Sequence, residues 1–402
     1  MAYNVLELFA GCGGLGYGFE QNGFNIICAN ELEEPIANTY KENFKHSNVI
    51  VGDITSPKIK NDIYKNFKNK SCDVVIGGPP CVAYSMSGNR NSRDPRGQLF
   101  RDYLEIVKVL SPKVFVMENV KGILTMFHDK DNLTKEEKEK ANKFYKLEKQ
   151  KLEKDHINKK FTIEKRKKDN NEENTYSEEE HKKNKNELTF IKNKIKKMTS
   201  DDMSFRIKVC DKIVECFSNI GYDVKFKLHN AANFGVPQRR ERVIFIGVKK
   251  ELNIDIQFPK ETHSNKDTNI TPWVTVKDAI DDLKNNESNT EFSQIYTKHS
   301  ETMLKKIEKT PIGKSVNPKY TEAFFRCDPN LPSGTVKENH GGVFIHYEKN
   351  RVMTPRELAR LQSFPDDFIF KGSKASILKQ LGNAVPCQLS NVIAKTVKDM
   401  LK

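Results

Sequence analysis

Apolar runs alternate with amphipathic stretches along the first ~125 residues of the chain. The apolar runs predict strands, which fall at residues 4–9, 25–30, 49–52, 73–77 and 114–118. Apolar residues at helical spacing predict helices between them, at residues 15–22, 34–43 and 98–110. Strands and helices that alternate in this way predict an α/β fold with a doubly wound, mostly parallel sheet. Such a sheet binds its ligand beyond the carboxyl ends of the strands.

After residue 200 the pattern predicts the rest of the sheet and a second, less regular region. The predicted elements are a helix at 205–220, strands at 223–228 and 243–248, and a last helix at 387–401. Residues 251–350 have weak periodicity and many Asn, Thr, Lys and Pro. This composition predicts a smaller, loop-rich second domain.

A highly charged segment interrupts the α/β pattern between residues 125 and 200. It holds 22 Lys and Arg against 16 Asp and Glu, a net charge of +6. We interpret it as an inserted arm of one or two helices or a frayed segment, with a turn near 169–177. A solvated helical face is the commoner use of such a charge run, and contact with nucleic acid is the alternative. The whole chain carries +14, which suggests a polyanionic partner unless the source proteome is generally basic.

The composition also argues against several classes of protein. The chain has 402 residues, 37% of them hydrophobic, and no window of about 18 consecutive apolar residues that would predict a transmembrane helix. The N-terminus leads directly into the first predicted strand, so we expect no signal peptide. The eight cysteines, at 12, 28, 72, 81, 210, 216, 327 and 387, form no Cys-x-x-Cys pair. We therefore expect no metal site and reduced thiols in a cytoplasm.

A glycine-rich turn, FAGCGGLG at residues 9–16, follows the first predicted strand and opens a helix. Glycines let the backbone turn tightly and approach a ligand closely. Glu31 closes the second strand, where a carboxylate can accept both hydroxyls of a ribose. Asp53 ends the third strand, where an adenine amino group would lie. These positions predict a cofactor that contains adenosine, and at this point NAD remains open.

The sequence GGPPC at residues 77–81 places a cysteine just after the fourth predicted strand. The two prolines fix φ on the way out of the strand and hold Cys81 in one place. Beyond it lies a polar loop that contains Ser85, Arg90, Arg93 and Arg96. A thiol presented at the ligand edge is a candidate nucleophile. A buried structural cysteine is the alternative, but it would not need a diproline turn and an Arg-rich loop.

Two further motifs carry charged side chains to the same edge. Glu118, in MENV, ends the fifth strand, where an acid can donate to a pyrimidine ring nitrogen. In QRRER, Arg240 and Arg242 alternate along a strand and so share a face. Two guanidinium groups on one face can hold a carboxylate and a base carbonyl. A row of surface salt bridges is the alternative.

Six motifs in this order resemble those of DNA cytosine-5 methyltransferases of the bacterial restriction-modification type. They are FAGCGG, GGPPC, MENV, QRRER, TPRELARLQSFPDDF and QLGNAVP. The resemblance covers most of the chain except the charged insertion and residues 251–350. It implies a Rossmann-like S-adenosylmethionine-dependent methyltransferase fold with a smaller target-recognition domain.

The resemblance also implies roles for individual residues. The cofactor positions would be Phe9, Ala10, Gly11, Gly13, Gly14, Leu15, Glu31, Leu32, Asp53, Ile54, Pro80, Leu99, Asn383 and Val385. The catalytic positions would be the nucleophile Cys81, the ring-nitrogen acid Glu118, and Arg240 and Arg242, which orient acid, base and phosphate. Ser85, Arg90, Arg93 and Arg96 would contact DNA. Val82 and Tyr84 depart from the Gln and Phe usual in the family, which leaves details of base flipping open.

The implied enzyme takes a methyl group from S-adenosylmethionine, needs no metal, and acts on double-stranded DNA as a cytoplasmic, nucleoid-associated monomer. A restriction endonuclease would be its functional companion. The implied division of the chain is 1–126 and 201–250 for the catalytic domain, 127–200 for the insertion, 251–350 for target recognition, 351–375 for a motif segment and 376–402 for a returning helix. Arg326, Lys337 and His340 are candidate base contacts.

Three rival interpretations remain at this point. A tRNA cytosine-5 methyltransferase shares the nucleophile loop, but the long recognition region and the basic charge favour duplex DNA. A catalytically silent DNA-binding regulator would have no use for Cys81, Glu118 and Arg240 together. An NAD-dependent oxidoreductase would have no use for Pro-Pro-Cys or QLGNAVP.

Overall fold

The computed structural model describes residues 2–80, 99–130, 132–169, 177–201, 203–317, 323–338 and 344–402. It divides into two units, one formed by Met1–Leu124 with Ile213–Lys402 and the other by Thr125–Lys212. No helix in the part of the chain that the structure describes is long and apolar enough to cross a membrane.

A seven-stranded sheet forms the centre of the first unit. Its strands are β1 (Asn4–Leu8), β2 (Asn25–Glu31), β3 (Asn48–Val51), β4 (Val74–Gly77), β5 (Val114–Val120), β8 (Tyr222–Asn230) and β9 (Glu241–Lys249). Their order is β3-β2-β1-β4-β5-β9-β8. The first five strands run parallel, and β9 is antiparallel to both of its neighbours. All four residues of β4 are buried, as expected for a central strand covered on both faces.

The remaining elements cover the sheet or lie in loops and in the second unit. The helices are α1 (Gly14–Gln21), α2 (Glu34–Asn43), α3 (Pro57–Lys65), α4 (Leu99–Leu110), α5 (Lys135–Asp169), α6 (Glu178–Asp201), α7 (Val209–Ser218), α8 (Val276–Ile280), α9 (Glu301–Glu308), α10 (Pro355–Leu361), α11 (Lys374–Asn383) and α12 (Cys387–Met400). The short strands are β6 (Phe127–Asp129), β7 (Arg206–Lys208), β10 (His263–Ser264), β11 (Thr271–Pro272), β12 (Phe325–Arg326) and β13 (Phe344–Ile345).

The sheet is doubly wound, which confirms the predicted fold class. From β1 the chain winds outward to β2 and β3, then returns to the other side of β1 for β4 and β5. Because crossovers between parallel strands are right-handed, the reversal places helices on both faces. On one face Lys60 of α3 pairs with Asp102 of α4 at 2.9 Å. On the other, α1 packs closely on α12: a Cβ on Gly18 would lie 2.3 Å from the backbone nitrogen of Asn391.

Several elements differ from the prediction. The helix predicted at 205–220 begins only at Val209, because Arg206–Lys208 pairs with Phe127–Asp129 as β7 and β6. The sequence pattern did not predict α3, and the returning helix expected over 376–402 is two helices, α11 and α12, separated by Ala384 to Pro386. The two strands predicted at 223–228 and 243–248 are present as β8 and β9 and complete the sheet.

The second unit contains the charged insertion, which is helical as predicted. Its two long helices, α5 and α6, are linked by polar contacts: Asn184 Nδ2 donates to the carbonyl of Lys154 at 3.0 Å. Ala141, Phe144 and Phe205 form a small buried core in this unit. The predicted turn between the helices falls largely outside the described residues.

Residues 251–350 are loop-rich, as predicted. Within their described part, Ile256, Val276, Cys327 and Val336 belong to the same hydrophobic core as the sheet strands and α12. This region is thus part of the first unit rather than a separate one. The domain boundaries given above stay predictions.

Candidate active site

The carboxyl ends of the five parallel strands meet at one edge of the sheet. In the register of the strands, Leu8 pairs with both Asn30 and Gly77, and Gly77 pairs with Met117. The chain segments that follow these residues therefore leave the sheet side by side. Ligands of doubly wound sheets bind at this edge. The structure thus brings together the predicted cofactor residues and Glu118, which lie on separate motifs in the sequence.

The glycine-rich turn has one tightly packed side and one open side. Phe9, Gly11 and Gly13 have φ values of 54°, 57° and 98°, so the turn uses the left-handed region that favours glycine. A Cβ on Gly14 would lie 2.3 Å from the carbonyl oxygen of Val385, whereas a Cβ on Gly11 would meet no atom within 4 Å. The turn is therefore fixed by the QLGNAVP segment and leaves space beside Gly11. Ala10 and Leu15 are buried.

Glu31 is the carboxylate that borders this space. Its Oε2 accepts from the backbone N–H of Gly11 at 2.8 Å, and its Oε1 accepts from Glu33 at 3.0 Å. Burial raises the pKa of Glu31, while these two backbone bonds act in the opposite direction. Each carboxylate oxygen retains a second lone pair. Glu31 can thus still accept two hydroxyl groups such as those of a ribose.

The other predicted cofactor residues surround the same edge and differ in exposure. Leu32 is 62% exposed although it is apolar, and Ile54 is buried beside the exposed Asp53. Pro80 and Asn383 are also exposed, Leu99 is partly buried and Val385 is buried. An exposed leucine, an open glycine and acceptor carboxylates leave space at this edge for a ligand that carries hydroxyl or amino groups.

Glu118 lies between an arginine and the turn that leads to Cys81. Its Oε1 is 2.6 Å from Nε of Arg242, and the two side chains are 13% and 12% exposed. Burial lowers the pKa of Arg242, and the charge of Glu118 opposes this effect. A Cβ on Gly78 would lie 2.9 Å from Oε2 of Glu118, so a larger residue there would require the Glu118 carboxylate to shift. Cys81, Ser85, Arg90, Arg93 and Arg96 lie outside the described residues.

Arg240 makes a different set of contacts from Arg242. It is almost fully buried, its Nη1 donates to the carbonyl of Val336 at 3.0 Å, and its Nη2 donates to that of Gly382 at 2.9 Å. Burial lowers the pKa of Arg240, with the charge of Arg242 adding to the effect. The ion pair with Glu118 thus comes from Arg242. Arg240 links QRRER to the QLGNAVP segment and to the end of the loop-rich region.

Two polar residues in these motifs have contacts that the sequence did not predict. Gln238 is fully buried: its Nε2 donates to the carbonyl of Leu361 and to Oε1 of Gln362, both at 3.0 Å. Asn119 is 3% exposed and donates to the carbonyl of Pro79 at 3.2 Å. Asn119 follows Glu118 directly in β5, and Gln238 lies two residues before Arg240, just ahead of β9; these places within the motifs were the available signal.

One candidate base contact is wrong. Arg326 is 5% exposed, and its guanidinium donates to the carbonyls of Thr310 and Ile307, both at 2.7 Å, and of His346 at 3.0 Å. It therefore stabilises the loop-rich region from inside and does not face a ligand. Lys337 is exposed, and His340 lies outside the described residues. Among the residues that the structure does describe, no three His, Cys, Asp or Glu side chains are grouped to hold a metal ion.

The sheet order, the glycine-rich turn after β1 and the acid at the end of β2 define the Rossmann-like fold of S-adenosylmethionine-dependent methyltransferases. The family described as C-5 cytosine-specific DNA methylase matches residues 3–147 and 196–399. The chain belongs to this family, and its activity is that of a DNA cytosine-5 methyltransferase.

Curated relatives are similar over most of their length. The chain is 32% identical to the Type II methyltransferase M1.HphI of Haemophilus parahaemolyticus, over 100% of this chain and 88% of the relative. It is 31% identical to the Type II methyltransferase M.NgoFVII of Neisseria gonorrhoeae, over 98% and 86% respectively.

Solved structures support the fold. A DNA modification methyltransferase encoded within an E. coli prophage superposes with a TM-score of 0.64 at 24% identity, over 100% of this chain and 99% of the other. Spodoptera frugiperda DNMT2 superposes with a TM-score of 0.56 at 16% identity, over 100% of each chain. At these identities the likeness shows the architecture alone.

Proposed function

We propose that the protein transfers the methyl group of S-adenosylmethionine to C5 of a flipped cytosine in a specific duplex DNA sequence, through a covalent bond between Cys81 and C6. The contact of Glu118 with both Arg242 and the turn at Gly78 carries this proposal. It supports Glu118 as an acid beside the turn that leads to Cys81, at the edge where the proposed cofactor residues lie.

The cofactor residues fit S-adenosylmethionine. Glu31 would accept the ribose hydroxyls, Leu32 and Ile54 would contact the adenine, and Asp53 would accept from its amino group. Phe9, Ala10, Gly11, Gly13, Gly14 and Leu15 would form the backbone cradle, and Pro80, Leu99, Asn383 and Val385 would complete the pocket. When bound, the cofactor supplies an electrophilic methyl group on a sulfonium.

The chain's own residues would make C5 reactive. The Cys81 thiolate forms the S–C6 bond, the C5–C6 π electrons move toward C5, and Glu118 donates a proton to N3. Arg242 would hold the carboxyl group of Glu118 in its orientation, and Arg240 would fix the strand that carries Arg242. C5 would then bond to the methyl group that the cofactor supplies, leaving the cofactor as a neutral thioether. Solvent would take the C5 proton, the C5–C6 double bond would re-form as the S–C6 bond breaks, and N3 would return its proton to Glu118.

The residues that we propose as phosphate contacts lie outside the described part of the chain. Ser85, Arg90, Arg93 and Arg96 would contact phosphates, and residues 251–350 would read the target sequence. Extrusion of a base costs a few kcal/mol, and phosphate contacts by this basic chain would offset that cost. The division into catalytic segments, insertion and recognition region given above is part of the proposal.

The relatives' description as Type II methyltransferases supports a role in restriction-modification. A restriction endonuclease that cuts the same sequence would then be the functional companion. We expect the enzyme to act on nucleoid DNA as a cytoplasmic monomer.

Transfer of tritiated methyl groups to plasmid DNA and to tRNA tests this function. We expect incorporation into DNA with the wild type and none with Cys81→Ala, which should still bind DNA and cofactor. Bisulfite sequencing of DNA from cells that express the protein would map the target. Incorporation only into tRNA, or unchanged incorporation with Cys81→Ala, would overturn the proposal.

A further inference from the structure

Asn119 holds the turn between β4 and Cys81 through one buried hydrogen bond. Its Nδ2 donates to the carbonyl oxygen of Pro79 at 3.2 Å, and its Oδ1 accepts from the backbone N–H of Val120 at 2.9 Å. Since a backbone N–H can only donate, the second bond fixes which end of the amide faces Pro79. The side chain is 3% exposed, so water does not readily replace it.

We propose that Asn119 is a positioning residue for Cys81: its amide fixes the direction in which the diproline turn presents the thiol. This inference rests on the proposed function, in which Cys81 is the nucleophile. Nothing in the sequence motifs assigned Asn119 a role, since only its neighbour Glu118 offered chemistry.

The need for such a contact follows from the backbone of the turn. The rings of Pro79 and Pro80 fix φ, and a residue that precedes proline is confined to extended ψ. The two prolines therefore form a stiff unit. That unit is attached to β4, which ends at Gly77, through Gly78, and glycine is the residue type with the greatest backbone freedom. Without a further contact, the stiff unit could pivot at Gly78 and carry Cys81 with it.

The hydrogen bond from Asn119 opposes this rotation because it holds the carbonyl of Pro79, the residue that follows Gly78. The close approach of Gly78 to Oε2 of Glu118 limits the same turn from a second side. Two successive residues of β5, the acid and its neighbour, therefore contact the turn that presents the thiol. In this way one strand would set the distance between the proton donor and the nucleophile.

Loss of the bond should slow addition of the thiol without weakening ligand binding. A misplacement of about 1 Å in a reacting group can cost about 10²-fold in rate. We therefore expect Asn119→Ala and Asn119→Asp to slow covalent trapping on target DNA containing 5-fluorocytosine by about 10- to 100-fold. The Michaelis constants for DNA and S-adenosylmethionine should stay within about twofold of wild type, because the hydrogen bonds of Asn119 go to Pro79 and Val120, and Pro80 is only one of fourteen proposed cofactor residues.

Asn119→Asp gives a signature that a purely structural residue would not. The aspartate keeps the shape and the bond from Val120, but its second oxygen faces the carbonyl of Pro79 and cannot donate when ionised. The charged side chains at this turn, Glu118 and Arg242, pair with each other. Burial and the facing carbonyl would raise the pKa of the introduced carboxyl, and its protonated form can donate. The trapping rate of Asn119→Asp relative to wild type should therefore rise as the pH is lowered from about 8 to about 6.

Asn184→Ala is the matched control, because Asn184 is also a buried asparagine whose Nδ2 donates to a backbone carbonyl, that of Lys154. It should lower stability to a similar extent and leave trapping unchanged. If the wild type is trapped and the Asn119 variants are trapped at rates within twofold of the wild-type rate, the inference is overturned and the proposed function stays intact. Equal slowing by Asn184→Ala would also overturn it. No adduct with the wild type would instead refute the proposed function.

Discussion

Replacement of Glu118 by glutamine tests the proposed acid with little change of shape. In the wild type, Oε1 of Glu118 is 2.6 Å from Nε of Arg242. The amide oxygen of glutamine can still accept a hydrogen bond from that Nε, but glutamine cannot protonate N3 of the cytosine. A positioned acid contributes about 10²–10⁴-fold. We therefore expect the single-turnover rate of methyl transfer to fall by that factor, or about 2.7–5.4 kcal/mol of barrier at ~1.36 kcal/mol per tenfold.

The stability cost can be bounded from the same geometry. Exposed ion pairs contribute about 0.2–1 kcal/mol, and a buried charge left without any partner costs about 3–5 kcal/mol. Glu118 and Arg242 are largely buried, at 13% and 12% exposure, and the amide preserves one hydrogen bond. We expect a loss of ~1–3 kcal/mol in the free energy of unfolding, too little to unfold the enzyme at 25 °C if its stability is ordinary.

The assay is rapid-quench transfer of tritiated methyl groups under single-turnover conditions with saturating DNA. Glu241→Gln is the matched control: Glu241 pairs with Lys121 at 2.8 Å, but these side chains are 44% and 58% exposed. That variant should keep both rate and stability near wild type. A Glu118→Gln rate within twofold of wild type, with the protein folded, would refute the assignment of Glu118 as the acid.

Three further predictions test other parts of the account. Glu31→Gln should raise the Michaelis constant for S-adenosylmethionine by about 10- to 100-fold while DNA affinity in a filter-binding assay stays unchanged; an unchanged constant would remove Glu31 from the cofactor site. Gly18→Ala should cost about 1–3 kcal/mol in chemical denaturation, because its Cβ would lie 2.3 Å from the backbone of Asn391, and full stability would contradict the tight packing of α1 on α12. Arg326→Ala should lower stability by about 3 kcal/mol or more, since it leaves buried carbonyls such as that of Thr310 unpaired; weaker DNA binding at full stability would instead restore it as a base contact.

The strands were predictable because the strands of a parallel sheet that is buried on both faces appear in the sequence as short apolar runs. Residues 114–118 were predicted and Val114–Val120 was found. The helix α3 was missed for a physical reason. Its buried face includes Lys60, which forms ion pairs with Asp102 and Glu105. A search for apolar spacing does not detect such a helix.

The candidate site was predictable as far as its residues lie in short motifs that follow strands. The contacts of Arg240 and Arg326 were not predictable, because their partners are backbone carbonyls elsewhere in the sequence. Arg240 donates to Gly382, 142 residues away, and Arg326 donates to the carbonyls of a loop that surrounds it. Sequence spacing places a guanidinium on a face, but only the folded chain shows whether that face meets solvent, a carboxylate or buried carbonyls.

The most direct measurement is intact and peptide mass spectrometry of the enzyme after incubation with S-adenosylmethionine and target DNA that contains 5-fluorocytosine. The fluorine cannot leave as the C5 proton does, so the account predicts a stable adduct that maps to the sulfur of Cys81. The adduct should be absent with Cys81→Ala. Methylation of ordinary target DNA by an enzyme that forms no adduct at Cys81 would contradict the central claim.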